Sequence, residues 1–137
     1  MNINWKFIVQ LSMPGLVMAF ATISLVSSSA EPFVWILIFL WAGYMVAKNT
    51  GGKHFLYGFF VSILNSVWVT GVHIAFAGVY LDHHPQEAAM MSAISASGSP
   101  WFTMLTTGMM IGGVSGIILG FVALIAGKIL RGESNTP

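Results

Sequence analysis

The sequence predicts an all-α membrane protein: four transmembrane helices in an antiparallel bundle, plus a short amphipathic interfacial helix between the third and the fourth. Three observations predict it. The 137 residues are 56% hydrophobic and only 7% charged, with a mean hydropathy of +0.83, whereas an ordinary soluble domain carries about a quarter charged residues. The apolar residues fall into four runs, each close to the ~20 residues that cross a hydrocarbon core of about 30 Å. All five Lys and Arg lie on one side of a four-span drawing. The whole chain, 1–137, reads as a single integral membrane domain.

The first span is expected over about 7–27. Phe7 to Val26 is apolar throughout, and Pro14-Gly15 should kink it near its start. A cleavable signal peptide is the rival reading, since Lys6 precedes the run and Ser28-Ser29-Ala30 places small residues before Glu31. The run exceeds the usual apolar region of about 7–15 residues in such a peptide, which favours a span.

The second span, about 32–48, starts at Glu31-Pro32, where a proline loses nothing by lacking an N–H. It is slightly short for a bilayer, and Lys48 lengthens it by snorkelling. Asn49-Thr50-Gly51-Gly52 is expected to close a tight helical hairpin, with glycine taking the positive φ.

The third span is expected as one helix over about 54–80. Gly58, Ser62, Ser66, Thr70, His73 and Ala77 recur at intervals of four or three and so share a face. That face is small and polar, which suits burial against another helix rather than lipid. The segment 81–99 follows, outside the membrane. Pro85 can open a helix running to Ala96 that groups Met90, Met91 and Ile94 for the membrane surface. Ser97-Gly98-Ser99-Pro100 should break it and start the last span, about 100–128, with Ser99 as N-cap.

Lys6, Lys48, Lys53, Lys128 and Arg131 lie on one side and Glu31, Asp82 and Glu87 on the other. The positive-inside rule then places both termini in the cytoplasm of a bacterial cell, with the chain multi-pass in the inner membrane. Tyr80 and Trp101 would mark the outer interface, Trp5 and Tyr57 the inner. A net charge of +1 with no basic cluster larger than a pair gives no reason to expect nucleic acid as a partner. With no cysteine, disulfides, thiolate metal ligands, cysteine nucleophiles and palmitoylation are excluded together.

In the last span glycine recurs every four residues, at Gly108, Gly112, Gly116 and Gly120. Four residues overshoot a helical turn by roughly 40°, so these glycines make a slowly winding groove, which Gly113, Gly120 and Gly127 should widen at heptad spacing. A glycine inside a helix costs about 1 kcal/mol relative to alanine, so close backbone approach must offset it. Ser62, Ser66 and Thr70 of the third span are the expected occupants, because consecutive helices tend to pack side by side. Homo-oligomerisation through the groove is the second reading.

Lys53, Phe55, Gly58 and Phe59, together with the glycine-rich closing helix, carry a resemblance. Over roughly residues 50–130 the chain resembles a family of small four-span bacterial inner-membrane proteins, a domain of unknown function. The resemblance implies a bacterial inner-membrane location and lends no activity, cofactor or catalytic residue.

Among residues that could carry chemistry, His73 is foremost, because an ionisable group within a span is a functional hypothesis by default. With Asn65 it could form a polar or proton-relay site. The plainer reading, a neutral imidazole bonding a carbonyl or a hydroxyl such as a threonine of the last helix, is preferred, since no Asp or Glu lies within a span to serve a relay. Asp82, His83, His84 and Glu87 form the densest set of potential metal ligands, with Met90 and Met91 nearby for soft metals. Adjacent histidines diverge, so a solvated loop with a helix cap is favoured and no cofactor is expected. The hydroxyl residues of the spans show no pairing with a base and an orienting acid, and Gly51-Gly52-Lys53 lacks the rest of a P-loop, so no enzyme activity is expected.

The expected function is structural or accessory, with the glycine ladder as a helix-packing seam. The alternative is an oligomeric small-solute transporter or channel with a polar pathway near Asn65, Thr70 and His73. Membrane lipids, and either further copies of the chain or another membrane protein, are the expected partners.

Overall fold

The computed structural model describes residues 2–94 and 99–133. Among them are six α-helices and no strand: α1 (Trp5–Ser24), α2 (Glu31–Asn49), α3 (His54–Ala75), α4 (Ala77–His83), α5 (Pro85–Ile94) and α6 (Pro100–Glu133). Four of them, α1, α2, α3 and α6, are long and apolar enough to cross a membrane, which is compatible with a membrane protein.

Local chemistry explains most of the helix boundaries. The Asn4 side chain accepts from the Phe7 N–H at 3.1 Å and caps α1, which then runs unbroken through Pro14. Pro32 occupies the first turn of α2 beside Glu31, and Lys48 lies in its last turn, so both charges complement the helix dipole. The α2–α3 turn differs from expectation. No described glycine has positive φ; the left-handed position falls on Lys53, at φ 55°. The Gly51 carbonyl instead accepts a hydrogen bond from the Arg131 guanidinium, which ties the turn to the end of α6.

The third span is not one helix to Tyr80. It breaks at Phe76, which has φ −116° and ψ 29°, and α4 sets off from there. The Phe76 ring packs edge-on against Phe20 of α1 at 6.2 Å between centroids, holding the break against its neighbour. The expected helix to Ala96 is described as α5 as far as Ile94, and the expected break at Ser97-Gly98 lies outside the described residues. α6 begins at Pro100, with the Ser99 carbonyl accepting from the Phe102 and Thr103 N–H groups.

The helices stand in an order different from that of the chain. α3 packs between α1 and α6, and α6 packs between α3 and α2, while α1 and α2 barely touch. The α3–α6 pairing is antiparallel and the most extensive, because the glycines of α6 let the two backbones approach. A Cβ on Gly116 would meet the Phe59 ring at 2.9 Å, and one on Gly120 would meet the Phe55 ring at 2.7 Å. Gly58 answers from α3, where a Cβ would lie 2.6 Å from the Leu119 carbonyl oxygen.

All four long helices converge at one end. Ile8, Leu11, Ala42, Val46, Tyr57, Val61, Leu119 and Ala123 form the buried core there. This is the basic end, carrying Lys6, Lys48, Lys53, Lys128 and Arg131 at the termini of the helices. The Asn4 N–H also donates to the Tyr57 hydroxyl at 2.9 Å. The buried residues of α2 are Ala42, Gly43 and Val46, all in its second half. Its first half stands away from α3, and that divergence leaves a cleft in the other, acidic half of the molecule.

Candidate functional site

The cleft has a volume of about 610 Å³ and is walled by the first half of α2, the second half of α3 and the first half of α6, with α4 and α5 at its mouth. That volume falls within the range of small-molecule sites, about 300–1,000 Å³. Its walls are mostly apolar: Trp35, Ile36 and Phe39 come from α2, Val69 from α3 and Ile111 and Ile118 from α6. Its polar lining residues are Ser62, Asn65, Ser66, Thr70 and His73 on α3, Thr103, Thr107 and Ser115 on α6, and Glu31, Tyr80 and Glu87 on α2, α4 and α5. The face that the sequence marks as small and polar therefore serves two neighbours, the seam with α6 and the cleft.

The seam accounts for most of the hydroxyls. A Cβ on Gly108 would run into the Thr70 side chain, and one on Gly112 would meet Cβ of Ser66 at 2.6 Å. Ser66 donates to its own helix at the Ile63 carbonyl, 2.8 Å away. The Ser115 hydroxyl donates to the Ile111 carbonyl at 2.6 Å, which leaves its oxygen to accept from Ser62 at 2.9 Å. Gly108, Gly112, Gly116 and Gly120 all face α3, and Gly127 faces His54. Gly113 does not belong to the seam: nothing lies within 4 Å of a Cβ built there. One residue on from Gly112 it has turned about 100° around the helix, and heptad spacing from Gly120 does not cancel that turn. Sequence reasoning also missed the occupants of the basic half of the groove, which are the rings of Phe55 and Phe59 rather than hydroxyls.

Asn65 is 3% exposed, and neither its Oδ1 nor its Nδ2 has a hydrogen-bond partner. The amide lies against Gly15 of α1, where a Cβ would sit 2.6 Å from Asn65 Cγ. An unpaired buried amide costs about 1–3 kcal/mol, so this residue is the chief unsatisfied group of the cleft wall.

His73 is also buried, and its partner comes from an unexpected helix. Its Nε2 lies 2.8 Å from the Thr22 hydroxyl of α1, not from a threonine of α6. That hydroxyl is 3.0 Å from the Met18 carbonyl and 3.1 Å from that of Ala19, so its proton goes to its own helix and its oxygen accepts from His73 Nε2–H. The His73 ring stacks on Tyr80 at 4.0 Å, and Tyr80 stacks on His84 at 4.4 Å, giving three aromatic layers at the mouth of the cleft.

The four residues singled out as metal ligands do not come together. His83 is exposed and donates from Nδ1 to the Val79 carbonyl at 2.9 Å. His84 is buried and donates from Nδ1 to the Tyr80 carbonyl at 2.9 Å, which leaves its Nε2 without a partner. Each histidine back-bonds its own preceding turn, so the adjacent pair diverges, and Asp82 is exposed. Among the described residues no group of three or more His, Asp or Glu is placed to hold a metal ion.

Glu87 instead joins Glu31 at the mouth. The Glu31 carboxylate accepts from the Trp35 indole N–H at 3.1 Å, and one Glu87 oxygen, Oε2, is buried without a partner. Both carboxylates act on Tyr80: burial first, then Glu31, then Glu87 push its hydroxyl up to about 12. The residues lining the cleft include these two carboxylates and no Lys or Arg. No family model matches this chain, and neither a curated protein nor a solved structure was found to match it.

Proposed function

We propose that this chain is a multi-pass membrane protein that binds small, largely apolar molecules in the cleft between α2, α3 and α6 and moves or presents them across the bilayer. The observation that carries the reading is a cleft of about 610 Å³ in the acidic half of the molecule, over a packed core that fills the basic half. A cleft in one half of a helical membrane protein whose other half is packed shut has the form of one state of an alternating-access protein and not of a continuous channel. The polar side chains in its lining that could orient a ligand there include Thr107 of α6, Tyr80, Glu31 and Glu87.

On this reading the seam of Gly108, Gly112, Gly116 and Gly120 is the scaffold of the site, and it lies within one chain. The basic end faces the cytoplasm by the positive-inside rule, in the bacterial inner membrane that the family resemblance implies. Surrounding lipid is the expected partner. The reading is one of binding: among the described residues Ser62 and Ser115 bond each other, and His73 bonds Thr22.

Binding of an apolar fluorescent probe to the protein in lipid nanodiscs tests the proposal. Thr107, exposed on the cleft side of α6, can be enlarged without disturbing the core. Saturable binding lost in Thr107→Trp supports the cleft; probe uptake no greater than in empty nanodiscs removes it. A purely structural role is the second reading, favoured by the apolar outer strip of α6 at Met109, Met110, Phe121 and Ile125. That strip would dock a partner helix, and a heteromeric complex on gentle extraction would be its signature.

A further inference from the structure

The cleft is electrically one-sided. Its apolar walls are closed at the mouth by Glu31 and Glu87, and no Lys or Arg lines it to neutralise them. Glu31 has one oxygen engaged by the Trp35 indole at 3.1 Å, which fixes the carboxylate on the α2 wall. Glu87 reaches in from α5 with Oε2 buried and unpartnered. Tyr80 feels both charges. Its ring faces are covered by His73 and His84, so it presents an edge and a hydroxyl to the mouth.

A buried carboxylate oxygen without a partner is unfavourable unless it is paired or neutralised. His84 makes no hydrogen bond through Nε2, and no Lys or Arg of the described helices can pair with Glu87, because those side chains stand at the opposite end. A ligand can. We infer that the cleft takes lipophilic organic cations, with the charged nitrogen or phosphonium held at the mouth between Glu31 and Glu87 and the apolar body inserted along Trp35, Phe39 and Ile111. The inference rests on the reading of the cleft as a ligand site and adds the ligand's chemical class. Trp35 and Phe39, edge to face at 6.1 Å, also offer aromatic surface on which a soft cation is attracted and an anion is not. An anionic amphiphile of the same shape meets two like charges, and a neutral one leaves Glu87 unpaired.

Tetraphenylphosphonium, tetraphenylborate and triphenylphosphine oxide are a cation, an anion and a neutral molecule of similar apolar bulk. Their binding is measured by equilibrium dialysis against the whole protein in uncharged phosphatidylcholine nanodiscs, with empty nanodiscs subtracted. The expected order is cation tightest, with the neutral compound weaker by about tenfold and the anion weaker still, as desolvated charge pairing requires. Glu31→Gln/Glu87→Gln should lose about tenfold for the cation while leaving the neutral compound unchanged, with helix content as the folding control. Equal affinity for the cation and the neutral compound in the unmodified protein overturns the cation inference and leaves the cleft as a ligand site. A cation preference that survives the double substitution also overturns it. Saturable binding of none of the three overturns the cleft reading itself.

Discussion

The Tyr80 ring lies over the His73 imidazole with their centroids 4.0 Å apart and their planes 21° apart. In a continuous helix these two residues would be separated by about 10.5 Å along the axis. The break at Phe76 brings them together, and with them it brings α4 and the acidic mouth back over the end of α3. The stack is therefore part of what shapes the cleft.

Removing the stack should cost stability in proportion to the ring and not to the hydroxyl. Tyr80→Leu is expected to destabilise the protein by about 1–3 kcal/mol, since an aromatic pair adds about 0.5–1.5 kcal/mol to the area it buries. Tyr80→Phe keeps both ring faces and should change stability by less than about 1 kcal/mol. Thermal unfolding in detergent micelles checks both. An equal loss in the two variants would assign the effect to the hydroxyl.

The same residue predicts an alkaline limit to stability. The Tyr80 hydroxyl is raised from 10.0 to about 12 by burial, by Glu31 and by Glu87, in that order. The folded state thus holds its proton more tightly than the unfolded state. The stability this represents is complete below pH 10.0 and is lost progressively as pH rises from there towards 12. Tyrosinate absorbance should show one group titrating late, and in Glu31→Gln that group should titrate earlier. No change in Glu31→Gln would remove Glu31 as a cause and leave burial and Glu87.

The four long helices were legible in the sequence because apolar length is a local property, and so was the α3–α6 seam, because repeated glycine permits close approach. The spatial order α1, α3, α6, α2 was not legible, since it depends on which faces meet and no periodicity records that. The candidate site was half legible. Asn65, Thr70 and His73 stood out as polar groups on an apolar helix, but the break at Phe76 has no proline to announce it. The convergence of Glu31 and Glu87, 56 positions apart in the sequence, has no local signal at all. Gly113 shows the opposite failure: its spacing suggested packing, and the helix turn places it in the open.

Two alanine substitutions separate seam glycines from the rest. At Gly58 the added Cβ would lie 2.6 Å from the Leu119 carbonyl oxygen, a backbone atom that cannot rotate away. Gly58→Ala should therefore force α3 and α6 apart and cost about 1–3 kcal/mol. At Gly113 nothing lies within 4 Å, so Gly113→Ala should gain about 0.5–1 kcal/mol from helix propensity alone. Unfolding in a graded series of sodium dodecyl sulfate would give both signs; a stabilised Gly58→Ala would contradict the close α3–α6 approach.

Asn65 offers the sharpest separation of stability from binding. Both its amide atoms are buried without a partner, so the residue weakens the empty protein by about 1–3 kcal/mol relative to an apolar side chain of its size. Asn65→Leu should raise the melting temperature, because leucine fills the same space beside Gly15 and carries no polar atom. Asn65→Ala should lower it, because a cavity replaces the amide. Because the amide lies against Gly15 of α1, both variants should bind the apolar probe as the natural protein does, although their stabilities move in opposite directions. A leucine variant less stable than the natural protein would mean that the amide already has a partner, such as a bound water. Weaker probe binding in a leucine variant that is more stable would mean that the amide turns into the cleft when ligand binds.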